Sequence, residues 1–277
     1  LIENHFARLN TALTRGVCRC RIGVIHPIES FWLLCGPKQQ TAERREQAEA
    51  DFSNLVKWLL FGLLDFDFID ESLLPSQHTP GVPFRVGEMA YDAIVVPPCV
   101  TLRRSTVDIL RRFLQAGGAL YFFGDPPELV DAAPSDDARE LYAAARHASF
   151  NKIRLLETLE PYRTVDIRNA FGERTEHLLY QLRQEEDAAW LFVSHVYPVE
   201  NWFEQAEHIR ILVRGLYQPT LYDTMTGAIT PAACRHEAGN TIIETDFYAE
   251  DSLLFRLEPA SCASSSAPAA KAYGETY

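Results

Sequence analysis

The 277-residue chain lacks the features that mark several large classes of protein. Its 26 Lys and Arg residues stand against 38 Asp and Glu residues, a formal net charge of −12. It therefore lacks the basic excess that binding to nucleic acid or to a membrane surface requires. The apolar stretch at 58–64 is ended by Asp65 and falls well short of the roughly 18–20 residues that span a bilayer. These absences predict that neither nucleic acid nor a membrane is a partner.

Cysteine is also scarce, with six residues in the whole chain. They are too scattered for a disulfide scaffold, and the lone Cys18-Arg19-Cys20 pair has no second Cys or His pair to complete a zinc site. We therefore predict no metal and a reducing compartment, the cytoplasm. The chain begins at Leu1 without a basic and apolar leader, so we expect no signal peptide and an opening drawn from the interior of a longer polypeptide.

Sequence motifs for cofactors and nucleophiles are absent. The turn at 26–30 contains no glycine, although a dinucleotide or Walker turn needs close backbone approach to phosphate, so we predict no cofactor. No Gly-x-Ser-x-Gly elbow occurs, and Cys99 lies in PPCVT without the small residues that allow a sharp turn around a nucleophile. His195 and Glu200 could pair as base and orienter, but we interpret them as structural because they lie where the second half of the chain begins.

The first half alternates apolar strands with helices. Strands are predicted at 21–25, 66–70, 91–96, 119–123 and 164–167, and helices at 41–64, 105–115, 138–148 and 152–159. Nearly all-apolar strands that alternate with helices indicate a parallel sheet covered on both faces. Residues 21–172 are therefore predicted to form a doubly wound α/β domain.

The second half has a different period. Short strands are predicted at 176–183, 188–195, 210–214, 220–223, 241–246 and 253–257, with turn chemistry at Gly227 and at Gly239-Asn240. This spacing predicts a small all-β sandwich over 173–260. Residues 261–277 are rich in Ala and Ser and are predicted to be disordered. Residues 1–20 are interpreted as a helix carried over from a preceding domain.

Ligands of open α/β sheets bind beyond the carboxyl ends of the strands. The candidate ligand or domain-interface residues at these positions are His26, Glu29, Asp70, Glu71, Cys99 and Asp125. Glu29 with Asp70 or Glu71 could do acid–base work if burial separated their pKa values. Equally, these could be loop carboxylates that cap helices or contact a neighbouring domain, and the sequence leaves both interpretations open.

Aromatic residues form a second group, since ring faces and carboxylates together suit a sugar-binding surface. Its members are Trp32, Trp190, Tyr197, Trp202 and Phe203. Trp190 lies in an apolar strand and is predicted to be core. Trp32 and Trp202 lie beside polar or loop residues and are predicted to face another domain or subunit.

The segments, taken in order, resemble part of a known family. They are FARLN at 6–10 with LTRG at 13–16, RIGVIHPIES at 21–30, DFDFIDE at 65–71, YDAIVVPP at 91–98, FLQAGGAL at 113–120 and GDP at 124–126. This order is similar to the beta-galactosidase trimerisation-type domain of glycoside hydrolases, a relative of class I glutamine amidotransferases. DTMTG at 223–227 with LLFRL at 253–257 resembles the small β-sandwich that closes such enzymes.

The resemblance implies a flavodoxin-like α/β fold and limits the chemistry. The amidotransferase relatives carry a Cys nucleophile at the position corresponding to Gly124-Asp125, and its absence implies that this chemistry is lost. The family's glycosidase carboxylates lie on an upstream catalytic barrel of about 250 residues, for which this chain has no room. No catalytic residue is therefore assigned.

Three hypotheses follow. The favoured one is a non-catalytic C-terminal portion of a beta-galactosidase or rhamnosidase-like glycoside hydrolase. It would support the barrel and oligomerisation, with Glu29, Asp70 or Glu71 lining the mouth of the barrel that binds the carbohydrate substrate. The second is a free-standing carbohydrate-binding or degenerate amidotransferase-like protein. The third is a small hydrolase that uses Cys99 or Glu29.

Overall fold

The computed structural model describes residues 2–196, 206–249 and 251–260. The helices are α1 (Ile2–Leu13), α2 (Ile28–Leu33), α3 (Lys38–Phe61), α4 (Leu74–Gln77), α5 (Arg104–Gln115), α6 (Asp137–Ala144) and α7 (Lys152–Leu159), with a 3-10 turn at Glu160–Tyr162. The strands are β1 (Val17–Cys18), β2 (Ile22–Ile25), β3 (Phe66–Ile69), β4 (His78–Thr79), β5 (Phe84–Val86), β6 (Met89–Tyr91), β7 (Ala93–Val96), β8 (Thr101–Leu102), β9 (Ala119–Phe123), β10 (Leu129–Val130), β11 (Ala133–Pro134), β12 (Arg146–Ala148), β13 (Val165–Asn169), β14 (Leu178–Gln184), β15 (Ala189–His195), β16 (Glu207–Arg214), β17 (Tyr217–Tyr222), β18 (Ile229–Pro231), β19 (Cys234–Glu237), β20 (Asn240–Phe247) and β21 (Ser252–Pro259).

The chain divides into two compact units. The α/β unit comprises Cys18–Asp166 and Arg174–Leu179. The sandwich unit comprises the described parts of Leu1–Val17, Ile167–Glu173 and Tyr180–Tyr277. Helix α1 thus clusters with strands that follow it by more than a hundred residues in the sequence.

The α/β unit is built on a five-stranded sheet in the order β12-β9-β7-β2-β3, in which every pair with a described register is parallel. If the five strands of this sheet are numbered 1 to 5 in chain order, beginning with β2, their order across the sheet from the β3 edge is 2-1-3-4-5. The order reverses beside β2, since β3 lies on one side of it and β7 on the other. This is the arrangement that opens a crevice at the carboxyl edge of an α/β sheet.

Helices cover both faces of this sheet because its strands are apolar on both. Ala93 and Val95 of β7 pack with Leu55 and Leu59 of α3 and with Leu155 of α7. Side chains of the same strands that point the other way pack on α5 and α6, in a cluster that includes Ile94, Val96, Leu110, Phe113 and Leu141. A mixed α/β unit with a parallel sheet is thereby confirmed.

One predicted helix and one predicted strand of the α/β unit are shorter in the structure than in the prediction. The helix predicted at 138–148 ends at Ala144, and Arg146–Ala148 instead pairs in parallel with Tyr121–Phe123 of β9. An alanine-rich run has high helix propensity, but tertiary context overrides it here, since Arg146–Ala148 pairs at the edge of the sheet. The strand predicted at 91–96 is interrupted at Asp92, whose carboxylate accepts a hydrogen bond from Arg21 Nε at 2.5 Å.

The sandwich unit contains antiparallel sheets in a sandwich-like arrangement. One six-stranded sheet has the order β1-β14-β15-β21-β17-β18, and one four-stranded sheet has the order β13-β16-β20-β19. Ile209, Ile211 and Val213 alternate along β16 and are fully buried, which is the pattern of a strand with one core face. The strand predicted at 164–167 is found as β13, but it belongs to this four-stranded sheet rather than to the parallel one.

Some sequence predictions lie outside the described residues. They concern Tyr197, Glu200, Trp202, Phe203, Cys262 and the segment 261–277. Within the described ranges, no helix is both long enough and apolar enough to cross a membrane.

Candidate functional site

A cleft opens at the carboxyl edge of the parallel sheet, and we call it the strand-end cleft. Its volume is about 810 Å³, and its lining residues come from α2, from the first half of α3 and from the loops after β2, β7, β9 and β12. They are Pro27, Ser30, Phe31, Leu34, Glu43, Arg44, Gln47, Ala48, Asp51, Pro98, Cys99, Val100, Gly124, Asp125, Pro126, Glu128 and Phe150. The cleft brings together two of the predicted candidates, Cys99 and Asp125.

The turn after β9 shapes one wall of the cleft. Gly124 has a φ of +87°, a backbone conformation that side-chain-bearing residues rarely adopt. Its N–H donates to the carbonyl oxygen of Ala148 at 2.9 Å, and its own carbonyl oxygen accepts from the Tyr142 hydroxyl at 3.1 Å. Asp125, which follows it, lines the cleft at the end of the strand.

Ser30 fixes the opposite wall. Its buried hydroxyl oxygen accepts hydrogen bonds from the N–H groups of Val100 (2.9 Å) and Thr101 (3.1 Å). The loop that carries Cys99 is therefore held against α2 by one side chain. Sequence reasoning missed Ser30, because a serine in the first turn of a short helix carries no motif.

Cys99 does not have the properties of a nucleophile. Burial raises the pKa of its thiol far above the usual value, and the nearby Glu71 carboxylate raises it further. A thiol becomes nucleophilic when its pKa is lowered, so Cys99 stays protonated at neutral pH. His26 packs edge-on against Phe52 and Phe68, with ring centroids 5.5 and 5.1 Å apart. It therefore acts as an aromatic packing residue.

Glu29 and Glu71 meet at Arg103, a residue that the sequence analysis did not single out. Arg103 Nε donates to Glu29 Oε1, and the Arg103 backbone N–H donates to Glu71 Oε2 at 2.8 Å. Glu71 is 1% exposed. Burial raises its pKa, with a smaller contribution from Glu29, while the Arg103 N–H and the facing Thr106 hydroxyl oppose that rise.

These contacts decide what the paired carboxylates can do. Glu71 caps the backbone at the start of α5 and is closed off from solvent, so it cannot meet a substrate. Glu29 is engaged by the guanidinium of Arg103. Glu71 Oε1 and Thr106 Oγ1 face each other without a hydrogen bond of ordinary geometry. These contacts join α2, the turn after β3 and the start of α5, and this is a structural arrangement, not that of an acid–base pair.

Asp70 is exposed and directly precedes Glu71, and the Arg103 guanidinium also acts on its carboxylate electrostatically. Its Oδ1 accepts hydrogen bonds from the N–H groups of Ser72 (2.6 Å) and Leu73 (3.2 Å), which closes the turn after β3. The Ser72 hydroxyl is the main cause of the lowered pKa of Asp70. The six candidate residues thus occupy four places: Cys99 and Asp125 line the strand-end cleft, and Asp70 lines a smaller cavity of about 380 Å³ beside β3.

Comparison with solved structures finds this fold inside several enzymes. The chain superposes on a rhamnosidase from Novosphingobium sp. PP1Y with a TM-score of 0.62 and 14% identity, covering 97% of this chain and 25% of that one. It is similar to alpha-L-fucosidase isoenzyme 2 from Paenibacillus thiaminolyticus (TM-score 0.51, 11% identity, 94% of this chain, 51% of that one). A beta-galactosidase from Bacillus circulans sp. alkalophilus matches with a TM-score of 0.51 and 9% identity, over 87% of this chain and 42% of that one.

No protein-family model and no curated protein sequence matches the chain. At these identities the structural matches establish a shared fold, and the chain spans about a quarter to a half of the length of the enzymes named above. The architecture described here is therefore that of one part of several glycoside hydrolases.

Proposed function

We propose that this chain is a non-catalytic C-terminal portion of a glycoside hydrolase. One observation carries the proposal: almost the whole chain, 97% of it, superposes on a quarter of a rhamnosidase. Both units of the chain fall within that overlap, so the order of an α/β unit and a sandwich is shared. The carboxylates at the strand ends support a non-catalytic role, because Glu29 and Glu71 are engaged by Arg103.

The proposal includes a finer fold assignment, a flavodoxin-like sheet related to class I glutamine amidotransferases and to the trimerisation-type domain of beta-galactosidases. The strand order 2-1-3-4-5 supports it. The sharp turn at Gly124 after β9 supports it too, since this is the position where the amidotransferase relatives carry their nucleophile. In this chain Asp125 follows the glycine, so the side chain at this position carries a carboxylate where those relatives have a thiol.

The partner in this proposal is a catalytic barrel or a second copy of the chain. Apolar side chains are exposed on α2 and before α4, where the chain leaves the carboxyl ends of β2 and β3: Trp32, Leu33 and Leu73. Trp32 is 61% exposed. Large apolar side chains grouped on a surface mark interaction sites, and tryptophan is enriched where interfaces gain most of their binding energy. This surface is our candidate for contact with the barrel or another subunit.

We predict that the purified chain does not hydrolyse aryl glycosides. Glycosidases need two carboxyl groups about 5 to 10 Å apart with access to the sugar, and Glu71 has no such access. The measurement is nitrophenol release from aryl rhamnosides, fucosides and galactosides, with an active glycosidase as positive control. A rate above that of denatured protein that is lost in Glu29→Gln would contradict the proposal. Finding a barrel encoded directly upstream of Leu1 would support it.

Trp32→Ala is expected to separate a surface role from a folding role. Because Trp32 is mostly exposed, its removal should change the free energy of unfolding by less than about 0.5 kcal/mol. Association with a second copy or with a barrel should weaken about tenfold or more, measured by light scattering over a concentration series. Ile153→Ala, at a 68% exposed position on α7, is the matched control. Equal effects of the two substitutions would argue against this surface.

A further inference from the structure

A second cavity lies wholly within the sandwich unit, between α1 and the six-stranded sheet. We call it the α1 pocket; its volume is about 530 Å³. Its lining residues come from α1 and the residues after it, from the β14–β15 turn and β15, from the end of β17 through the start of β18, and from β21. They are Arg8, Thr11, Ala12, Arg15, Glu185, Asp187, Trp190, Tyr222, Asp223, Thr224, Gly227, Ala228, Ile229, Leu254 and Arg256. Neither the proposed role nor the strand-end cleft uses it.

The floor of the α1 pocket is apolar and aromatic. Leu9 and Ala12 of α1 form a buried cluster with Trp190 and Leu254, and Tyr222 packs against it. The rings of Trp190 and Tyr222 meet edge to face, with centroids 5.0 Å apart. Such a floor offers C–H groups of a ligand an apolar contact surface.

The wall of the pocket is charged but balanced. Three arginines stand against three carboxylates: Arg8, Arg15 and Arg256 against Glu185, Asp187 and Asp223. Arg15 Nε donates to Glu185 Oε1 at 2.7 Å, and Arg256 Nη2 lies 3.3 Å from Asp187 Oδ2. A lining with no net charge selects neither an anion nor a cation.

Several polar atoms of the wall keep hydrogen-bonding capacity. Arg8 Nη1 donates to the carbonyl oxygens of Thr224 and Met225, both at 2.8 Å, while within the described residues its Nε and Nη2 have no hydrogen-bond partner. The Tyr222 hydroxyl likewise has none among the described residues. Trp190 Nε1 donates to Glu185 Oε2 at 3.0 Å, which holds that carboxylate at the pocket. Planar guanidinium and carboxylate groups side by side match adjacent hydroxyls, which donate and accept at once.

We propose that the α1 pocket binds a neutral saccharide of one or two sugar units. The apolar floor would contact the C–H face of the ring, and the balanced donors and acceptors of Arg8, Glu185 and Tyr222 would bind its hydroxyls. A volume of about 530 Å³ is within the range of small-molecule sites and suits a ligand of this size. Binding at this pocket is independent of whether the chain belongs to a hydrolase.

The test is a calorimetric and fluorescence titration of the full chain with L-rhamnose, L-fucose, D-galactose and lactose, with inorganic phosphate as the anionic alternative. We expect saturable binding of at least one sugar with a Kd in the millimolar range and a change in tryptophan emission. Tyr222→Phe keeps the ring contact and removes only the hydroxyl, so it should weaken binding by about three- to tenfold. Asp187→Asn, whose side chain is 76% exposed, should fold normally and weaken binding by a similar factor.

The matched control is Asp246→Asn on β20, which is 61% exposed and lies in the four-stranded sheet. It should bind the sugar as the unsubstituted chain does. Thermal unfolding of all variants checks that the fold is intact. No saturation by any of the sugars up to about 50 mM would overturn the proposal. Tighter binding of phosphate than of every sugar, or equal loss in Asp246→Asn, would overturn it as well.

Discussion

Replacing Arg163 with methionine is expected to lower the free energy of unfolding of the α/β unit by about 2 to 4 kcal/mol. The guanidinium is 5% exposed and donates through Nη1 to the carbonyl oxygens of Gly62 and Leu63 at the end of α3. Its Nη2 lies 2.8 Å from Glu160 Oε2. Methionine fills similar space but leaves the two buried carbonyl groups without this donor, and buried polar groups without partners are costly. The half-exposed Glu160 carboxylate keeps Arg174 as a partner, so it adds little to the loss.

Urea unfolding followed by far-ultraviolet circular dichroism measures this effect, because α3 is the longest helix described. The control is Arg154→Met on α7, whose side chain is 65% exposed and pairs with an exposed Glu157 at 3.3 Å. Exposed pairs of this kind contribute less than about 1 kcal/mol, so the control should unfold at nearly the same urea concentration as the unsubstituted chain. A similar loss in both variants would show that the hydrogen bonds from Arg163 to the end of α3 do not stabilise the fold more than an exposed ion pair does.

Replacing Asp65 with asparagine is expected to stabilise the protein above pH 6 by about 2 to 3 kcal/mol. Burial raises the pKa of Asp65 from its usual 3.8 to about 6, and the neighbouring Asp67 carboxylate adds to the rise. Asparagine keeps the oxygen that accepts the Phe66 N–H at 3.1 Å and carries no charge. It therefore removes the cost of ionising a buried group.

The sign of the pH dependence follows from that raised pKa. Below pH 3.8 Asp65 holds its proton in both the folded and the unfolded chain. The protonated side chain therefore makes its full contribution to the free energy of unfolding there. As the pH rises through about 6 that contribution is lost, because the unfolded chain gives up the proton first. The free energies of unfolding of Asp65→Asn and of the unsubstituted chain should differ little near pH 4, and their difference should grow to a plateau above pH 6. Urea midpoints between pH 4 and 7.5 measure it.

Asp136→Asn is the control for this series. Its side chain is 88% exposed and its closest cation, Arg139, is 3.9 Å away, so it should follow the unsubstituted chain within about 0.5 kcal/mol at each pH. If the difference in free energy of unfolding between Asp65→Asn and the unsubstituted chain stayed the same at every pH measured, Asp65 would titrate as an exposed aspartate does.

Local patterns in the sequence were sufficient to predict most secondary-structure elements. The strand at 119–123 and the helix at 152–159 have the predicted bounds, since a glycine or an asparagine cap marks their ends. The helix at 138–148 was predicted too long, because nothing in an alanine-rich run announces that Arg146–Ala148 pairs with a strand more than twenty residues earlier. The sheet of β4, β5 and β6 was not predicted, because strands of two or three residues are too short to show an alternation of apolar and polar residues.

The candidate site residues also have some properties that follow from local sequence and others that depend on tertiary contacts. Cys99 and Asp125, chosen for their position after strands, both line the strand-end cleft, because parallel strands all end on one edge of a sheet. Position after a strand did not distinguish these two cleft residues from Glu29 and Glu71, which are bound to Arg103 instead of lining the cleft. Arg103 lies more than thirty residues further along the chain. Trp190 was predicted to be core and is buried, yet its ring also lines the α1 pocket.

By itself, then, the sequence determined the alternation of strands and helices and the change to short strands, because these depend on residues close together in the chain. Only the tertiary structure decided which carboxylates are engaged, which thiol is protonated and where cavities lie. Each of those depends on side chains that meet across long sequence separations: Arg103 with Glu29, Arg163 with the end of α3, and α1 with the sheet strands beyond residue 180.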